Sequence, residues 1–411
     1  MAHSLLDALA RYARRLHACA GDGHHVVSPL GAWLVLALCA PLAGGGNGTL
    51  DDALGLAPDA ARAAAAALLD HPHPLVAAGA AAWTDPQLQA RALRRWLDDL
   101  PRSVTRGTVP TPAAIDAWAR ERTLGLVERF PLVAAADAAV VLASVLATKV
   151  SWEQPFEVVD AAELGPGSAW DGQVRRVLRA PVDDPRHLQY LTDTPEAGLV
   201  GVHLAVAQGG LLVGSVVAAD TAAPQAVLQA AQRVVTAEAR QRRSVPAVSL
   251  FDLSLGDGPI CSIIDEPVLT AARSGREERL VSLLPAWSAT TTVGLGDERL
   301  GFPAAAAAVA AAADRDRIGY GAAQTTTASY GATGFEAAAA TGLFATVSAV
   351  VPKAGRRRTA TVRFARPYAV VAAVDGAPRR SDETEHGRWE GLPVFSAWVS
   401  RPEDAAAAAS P

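Results

Sequence analysis

Side chains able to do chemistry are spread thinly along this chain, and their spacing argues against most catalytic arrangements. His71-Pro72-His73 and His24-His25 invite a metal site, but a proline splits the first pair. Neither pair has a Cys or carboxylate at ligand spacing, so both are expected to be loop histidines with no metal. Cys19, Cys39 and Cys261 are an odd set without CxxC spacing, which reads as three ordinary buried thiols in a reducing compartment. Residues 44–48 lack the Lys-Ser/Thr ending of a phosphate loop, and there is no GxSxG elbow or zincin pair. Asn47-Gly48-Thr49 matches a glycosylation sequon but reads more simply as a turn and helix cap. Two stretches are left. Residues 334–351, GFEAAAATGLFATVSAVV, are small and uncharged after Glu336; taken alone they read equally well as an Ala-rich helix. Lys353 and Arg356-Arg357-Arg358 form a basic run, which by itself reads as a solvated stretch leading into a strand.

The totals bound the rest. At 411 residues two domains are the default, although large sheet-built domains reach this length. Half the residues are hydrophobic but only 5% are aromatic, so the core is expected to rest on Val, Leu and a few Trp anchors. A formal charge of −5, with 37 basic and 42 acidic residues interspersed, offers no face for nucleic acid. The N-terminal stretch sets Arg11, Arg14 and Arg15 at helical spacing with no apolar block or cleavage site, so no signal peptide is read. Pro29, Pro41 and three glycines at 44–46 divide the longest uncharged stretch. A cytoplasmic protein without a membrane partner is expected.

Helix patterns dominate the first third: an amphipathic opening, a buried helix at 30–42 entered through Ser28-Pro29, a capped helix at Thr49, and helices at 59–70, 87–100 and 113–130. A strand is expected at 75–83. From residue 139 aliphatic and β-branched runs take over, at 140–150, 199–206, 211–218, 248–255, 324–330, 361–364, 368–374 and 394–399. Residues 303–313 read as an Ala-rich helix and 376–391 as a surface loop. Helices first and strands later, without regular βα alternation, indicate an α+β fold.

The run Gly-x-Glu-Ala-Ala-Ala-Ala-Thr at 334–341 resembles the hinge of inhibitory serpins, and Phe364-Ala365-Arg366-Pro367-Tyr368 resembles the Phe-x-x-Pro-aromatic element beyond it. Val27-Ser28-Pro29, Ile115-Asp116-Ala117-Trp118 with Thr123-x-Gly125, and Trp152-Glu153-x-Pro155-Phe156 are similar to further motifs of that family, in the same order. The resemblance covers residues 4–402. It implies one serpin-like domain at 1–402, with a large central mixed β-sheet, smaller sheets, about eight or nine helices and an exposed reactive loop near 332–358. An Ala-rich disordered tail would follow at 403–411. It also implies a monomeric serine protease inhibitor, not an enzyme, with no cofactor. In this family a target protease cleaves the loop, and the freed segment inserts as a new strand of the large sheet before the acyl-enzyme hydrolyses.

On that resemblance the hinge falls on Gly334, Phe335, Glu336, Ala337, Ala338, Ala339, Ala340 and Thr341. Inserted as a strand, Ala337, Ala339, Thr341, Leu343, Ala345 and Val347 would share one face, all small or apolar. About seventeen residues at about 3.3 Å each span more than about 50 Å, enough to carry a trapped protease along a domain. The span from Gly334 to Pro367 is roughly eight residues longer than usual, so two bait bonds compete. Counting from the hinge gives Ser348-Ala349, suited to an elastase-like or subtilisin-like protease. Arg358-Thr359, suited to a trypsin-like one, is second because it adds slack.

Three departures stand out. Phe335 replaces the small residue usual at the first inward hinge position, which favours the alternative of a non-inhibitory binding or carrier protein. Ser144 stands where Asn is usual and Gln324 where His is usual; both keep hydrogen-bonding capacity, so a polar cluster with Ser28 at the sheet centre is expected. Arg91, Arg94, Arg95, Arg102 and Arg106 would suit a polyanion, but Asp98 and Asp99 interrupt them.

Overall fold

The computed structural model describes residues 2–43, 48–71, 73, 76–123, 125, 127–130, 139–148, 151–320, 322–334, 352–376 and 387–405. Eight α-helices and seventeen strands occur among them. Contacts divide the chain into two units: Met1–Lys149 with Ala289–Ala328 and Ala373–Ala397, and Val150–Ser288 with Ser329–Ala372 and Trp398–Pro411.

The first unit holds seven of the helices. Leu5, Leu9, Tyr12 and Leu16 recur on one side of Ala2–Ala20 and are buried, as its pattern predicts. Helix Pro29–Cys39 is apolar all round, and all of its residues are buried. Ser28 starts it: its Oγ accepts the Gly31 N–H at 3.1 Å, and Pro29 follows with no N–H to satisfy. The alanine run becomes helix Phe302–Ala312, entered through Gly301. That glycine sits at φ +79°, and a Cβ on it would lie 2.7 Å from the Ala53 methyl, so no other residue fits without displacement.

Three strands order as Thr105–Thr108, Val76–Thr84 and Val140–Thr148, the last pair antiparallel from Val76 opposite Thr148 to Thr84 opposite Val140. One face buries Val141, Ala143 and Val145 among Trp83, Trp118 and Phe130, whose rings meet edge to face at 5.2 and 5.9 Å. Trp287–Gly294 and Ala323–Tyr330 form a separate two-stranded ribbon with threonine hydroxyls paired across it, Thr292 to Thr325 at 2.8 Å.

In the second unit the strands His187–Thr194, Gly198–Ala207 and Leu211–Ala218 form an antiparallel meander, with Tyr368–Val374 beside the last. Helix Pro224–Arg240 lies on Leu211–Ala218, where a Cβ on Gly214 would collide with Val235. A mixed six-stranded sheet completes the unit in the order Gly256–Asp257, Cys261–Thr270, Lys353–Arg363, Arg276–Leu284, Arg176–Arg179, Glu157–Asp160. The α+β class and the mixture of sheets are as the sequence predicts.

Several local expectations need correction. The helix expected over 113–130 runs only Pro112–Arg122. Thr123 Oγ1 donates to Ala119 O at 2.7 Å and accepts the Val127 N–H at 3.0 Å, and Gly125 then turns the chain at φ +83°. The helix expected from 87 begins at Arg91, because Asp85 holds the Gln87 N–H in a turn at 2.8 Å. Residues 248–255 are not a strand but contain the short turn of helix Leu250–Asp252, capped by Ser249. Cys39 and Cys261 are buried, whereas Cys19 is half-buried. His25 is buried in strand His25–Val27 and so is not a loop histidine, whereas His73 lies in a loop and is buried beside Trp389. Among the described residues no helix is long and apolar enough to cross a membrane.

Candidate functional site

Three side chains singled out from the sequence converge on the first turn of the buried helix. Ser28 Oγ donates to Val394 O at 2.8 Å while it caps Gly31. Gln324 brackets the Ser28 backbone: Oε1 accepts its N–H at 2.9 Å and Nε2 donates to its carbonyl at 2.7 Å. Ser144 Oγ donates to Gly31 O at 2.8 Å, in the same first turn of that helix. Thr326, which sequence reading missed, donates to Gln324 Oε1 at 3.3 Å. Ser28 is fully buried and Gln324 nearly so, so these bonds satisfy groups that water cannot reach.

The two strands that deliver Ser144 and Gln324 thus cross one helix start. Yet among the described residues they do not pair with each other: Val140–Thr148 carries a ladder only towards Val76–Thr84, and Ala323–Tyr330 only towards Trp287–Gly294. Among the described residues each therefore has one edge whose N–H and C=O groups carry no ladder. The side chains of Val140–Thr148 alternate, Val141 and Ala143 into the Trp118 cluster and Ser144 onto the helix, so a strand laid along this edge would have apolar surface available on one face.

In the second unit the described stretch that ends at Gly334 is fastened. Gly334 sits at φ +78° and bridges Ser151. The Trp152 N–H donates to Thr333 O at 3.3 Å, its indole N–H to Gly331 O at 2.8 Å, and the Phe156 N–H to Ala332 O at 2.9 Å. Tyr330 lies against Trp152, ring centroids 4.8 Å apart, and stacks on Trp287 at 6.1 Å. The Trp152-Glu153-x-Pro155-Phe156 motif therefore acts as a clamp on residues 330–334. Tyr330 could not be found from its own sequence signal; only the motif facing it stood out.

Behind Phe156 lies a histidine pair that sequence reading did not anticipate. His187 Nε2 donates to Gln154 O at 2.7 Å, which leaves its Nδ1 to accept from His203 Nε2 at 3.0 Å. Burial holds His187 below the usual imidazole range and His203 well below it, so both are neutral near pH 7.

From Pro352 the chain is described again, and the basic run lies inside strand Lys353–Arg363, antiparallel to Cys261–Thr270 and parallel to Arg276–Leu284. Arg356 pairs with Asp265 at 2.8 Å and Arg357 with Glu277 at 2.8 Å. Arg358 donates to the carbonyls of Leu250 and Leu253 at 2.7 and 2.8 Å and lies 4.9 Å over the Phe251 ring. The side-chain bond from Arg356 is the main cause holding the Asp265 carboxyl below the usual range. Arg358-Thr359 thus belongs to a strand laddered on both edges, a setting in which a protease cleft could take it only after the sheet came apart.

Of the other expected site residues, Phe335, Glu336, Ala337, Ala338, Ala339, Ala340, Thr341, Ser348 and Ala349 lie outside the described residues. In the arginine group near residue 100, Arg106 is spent locally on the carbonyls of Leu100 and Pro101.

No family model and no curated protein matches the chain. Solved structures do. Human thyroxine-binding globulin in complex with thyroxine matches with a TM-score of 0.60 at 13% identity, over 98% of this chain and all of that one. The thermophilic serpin tengpin in its native state matches with a TM-score of 0.60 at 12% identity, over 97% of this chain and 93% of that one. Serpin48 of the insect Tenebrio molitor matches with a TM-score of 0.56 at 14% identity, over 97% and 98%.

Proposed function

We propose that this chain, which has the serpin fold, is a suicide inhibitor of a serine protease, cleaved at Ser348-Ala349 between the described ends Gly334 and Pro352. The observation that carries the reading is the pair of strand edges over the Ser28 turn that carry no ladder among the described residues, a berth for one more strand. The protease serine attacks the Ser348 carbonyl, an ester forms, and the Ala349 amine leaves. The freed segment from Gly334 then pairs along the open edges, with each hydrogen bond contributing about 1 kcal/mol net, so the drive is cumulative.

Small residues at the bait favour an elastase-like or subtilisin-like target. A trypsin-like target at Arg358-Thr359 is disfavoured by the double ladder around that bond. The inhibitor acts as a monomer without cofactor, and its three free cysteines suit a reducing compartment. Challenge with elastase-like, subtilisin-like and trypsin-like proteases should give an SDS-stable adduct with at least one, and mass spectrometry should place the cut at Ser348. Cleavage without adduct across the panel refutes the inhibitor reading.

Phe335 favours a second reading, a binding or carrier protein on the same scaffold. A ring in the first inward hinge position obstructs insertion, and the loop would then be cut as a plain substrate.

A further inference from the structure

Away from the strand edges, the first unit holds an open cavity of about 410 Å³. It lies among the end of helix Pro29–Cys39, the turn Ala40–Ala43, and helices Pro58–Asp70, Arg91–Asp99 and Phe302–Ala312. The space exists because Ala92, Ala311 and Ala312 present only methyl groups where these elements meet. Trp96 forms an apolar wall: its indole N–H is already used by Leu38 O at 2.8 Å, so the ring offers only carbon to the cavity.

Two guanidinium groups line the same space. Arg62 is half-buried and held in place by one bond to Asp99 O at 3.1 Å, which leaves further N–H groups to donate. Arg95 is exposed and has no partner among the described residues; although Asp99 is four residues on, no ion pair joins them. With one aspartate against two arginines, the lining is net positive. A cavity of this size falls in the range of about 300–1,000 Å³ that takes small organic ligands.

We infer that this cavity binds a small amphipathic carboxylate, with an aromatic or short aliphatic body against Trp96 and its carboxylate on Arg62 and Arg95. The site is independent of the loop and of protease trapping. The probe is naphthoate, titrated calorimetrically into the full-length protein beside its uncharged isostere naphthamide. Saturable binding of naphthoate is expected, weakened about tenfold or more in the amide and in the Arg62→Gln/Arg95→Gln variant. Ala312→Leu, which fills the space, should abolish binding while the circular dichroism spectrum and melting curve stay those of the parent. Equal affinity for acid and amide in the unmodified protein overturns the proposal, as does absence of naphthoate binding. A sulfated polysaccharide that binds at these arginines while naphthoate does not would also overturn it.

Discussion

Replacing Gln324 by Met keeps side-chain length and burial but removes both ends of the bracket around Ser28. The Ser28 N–H loses its acceptor at 2.9 Å and the Ser28 carbonyl its donor at 2.7 Å, both at a fully buried residue. The carbonyl still accepts the Ala32 N–H at 3.3 Å, so the N–H alone is orphaned, at about 1–3 kcal/mol, and the lost bond to the carbonyl adds about 1 kcal/mol, together a large fraction of the about 5–15 kcal/mol typical of a folded domain. Gln324→His, the residue usual at this place in serpins, can restore one of the two bonds and should lose less than half as much. Equilibrium urea denaturation followed by circular dichroism reads the difference between the three proteins. A Gln324→Met variant within about 0.5 kcal/mol of the parent would refute the reasoning, because it would mean that the bracket exchanges freely with water.

His17 is fully buried between His25, at 2.7 Å, and Ser396, at 2.6 Å, and burial brings its pKa down to about 3. The unfolded chain binds the proton near pH 6.5 and the folded one does not, so stability present above pH 6.5 is lost as pH falls towards 3. At pH 5 the loss from this residue is about 2 kcal/mol relative to pH 7.5, and His17→Gln should flatten that part of the urea-midpoint profile. Arg358→Ala removes the donors to the Leu250 and Leu253 carbonyls, the first of which still accepts the Leu253 N–H, and should lower unfolding free energy by about 1–3 kcal/mol, while leaving the yield of adduct with an elastase-like protease unchanged. Loss of the adduct in Arg358→Ala would instead mark that residue as bait. Phe335→Thr should lower the number of inhibitor molecules consumed per protease trapped, measured by titration of residual activity; a rise would contradict the assigned hinge.

The polar cluster was legible only through the serpin resemblance, which singled out Ser144 and Gln324; the one local signal in it is Ser28 before Pro29, a helix start wherever it occurs. The apolar strands Gly198–Ala207, Leu211–Ala218 and Tyr368–Val374 announced themselves by composition. The charged strands did not. Cys261–Thr270, Arg276–Leu284 and most of Lys353–Arg363 look like surface sequence until the register sets Arg358 opposite Asp265 and Arg357 opposite Glu277. Those pairings join residues more than 75 positions apart, and no local pattern encodes them. The same holds at Thr123, whose hydroxyl ends a helix that the apolar spacing alone would continue to Phe130.

Protease trapping of the proposed kind requires a sheet that is more stable with the loop inside it than outside. Limited digestion with catalytic subtilisin, with the cut located by mass spectrometry within residues 335–351, followed by thermal unfolding of the nicked protein, tests this directly. Insertion worth about 5 kcal/mol raises the melting midpoint of a chain this long by about 6 °C, and that is the predicted result. A nicked protein that melts at or below the midpoint of the intact one would contradict it.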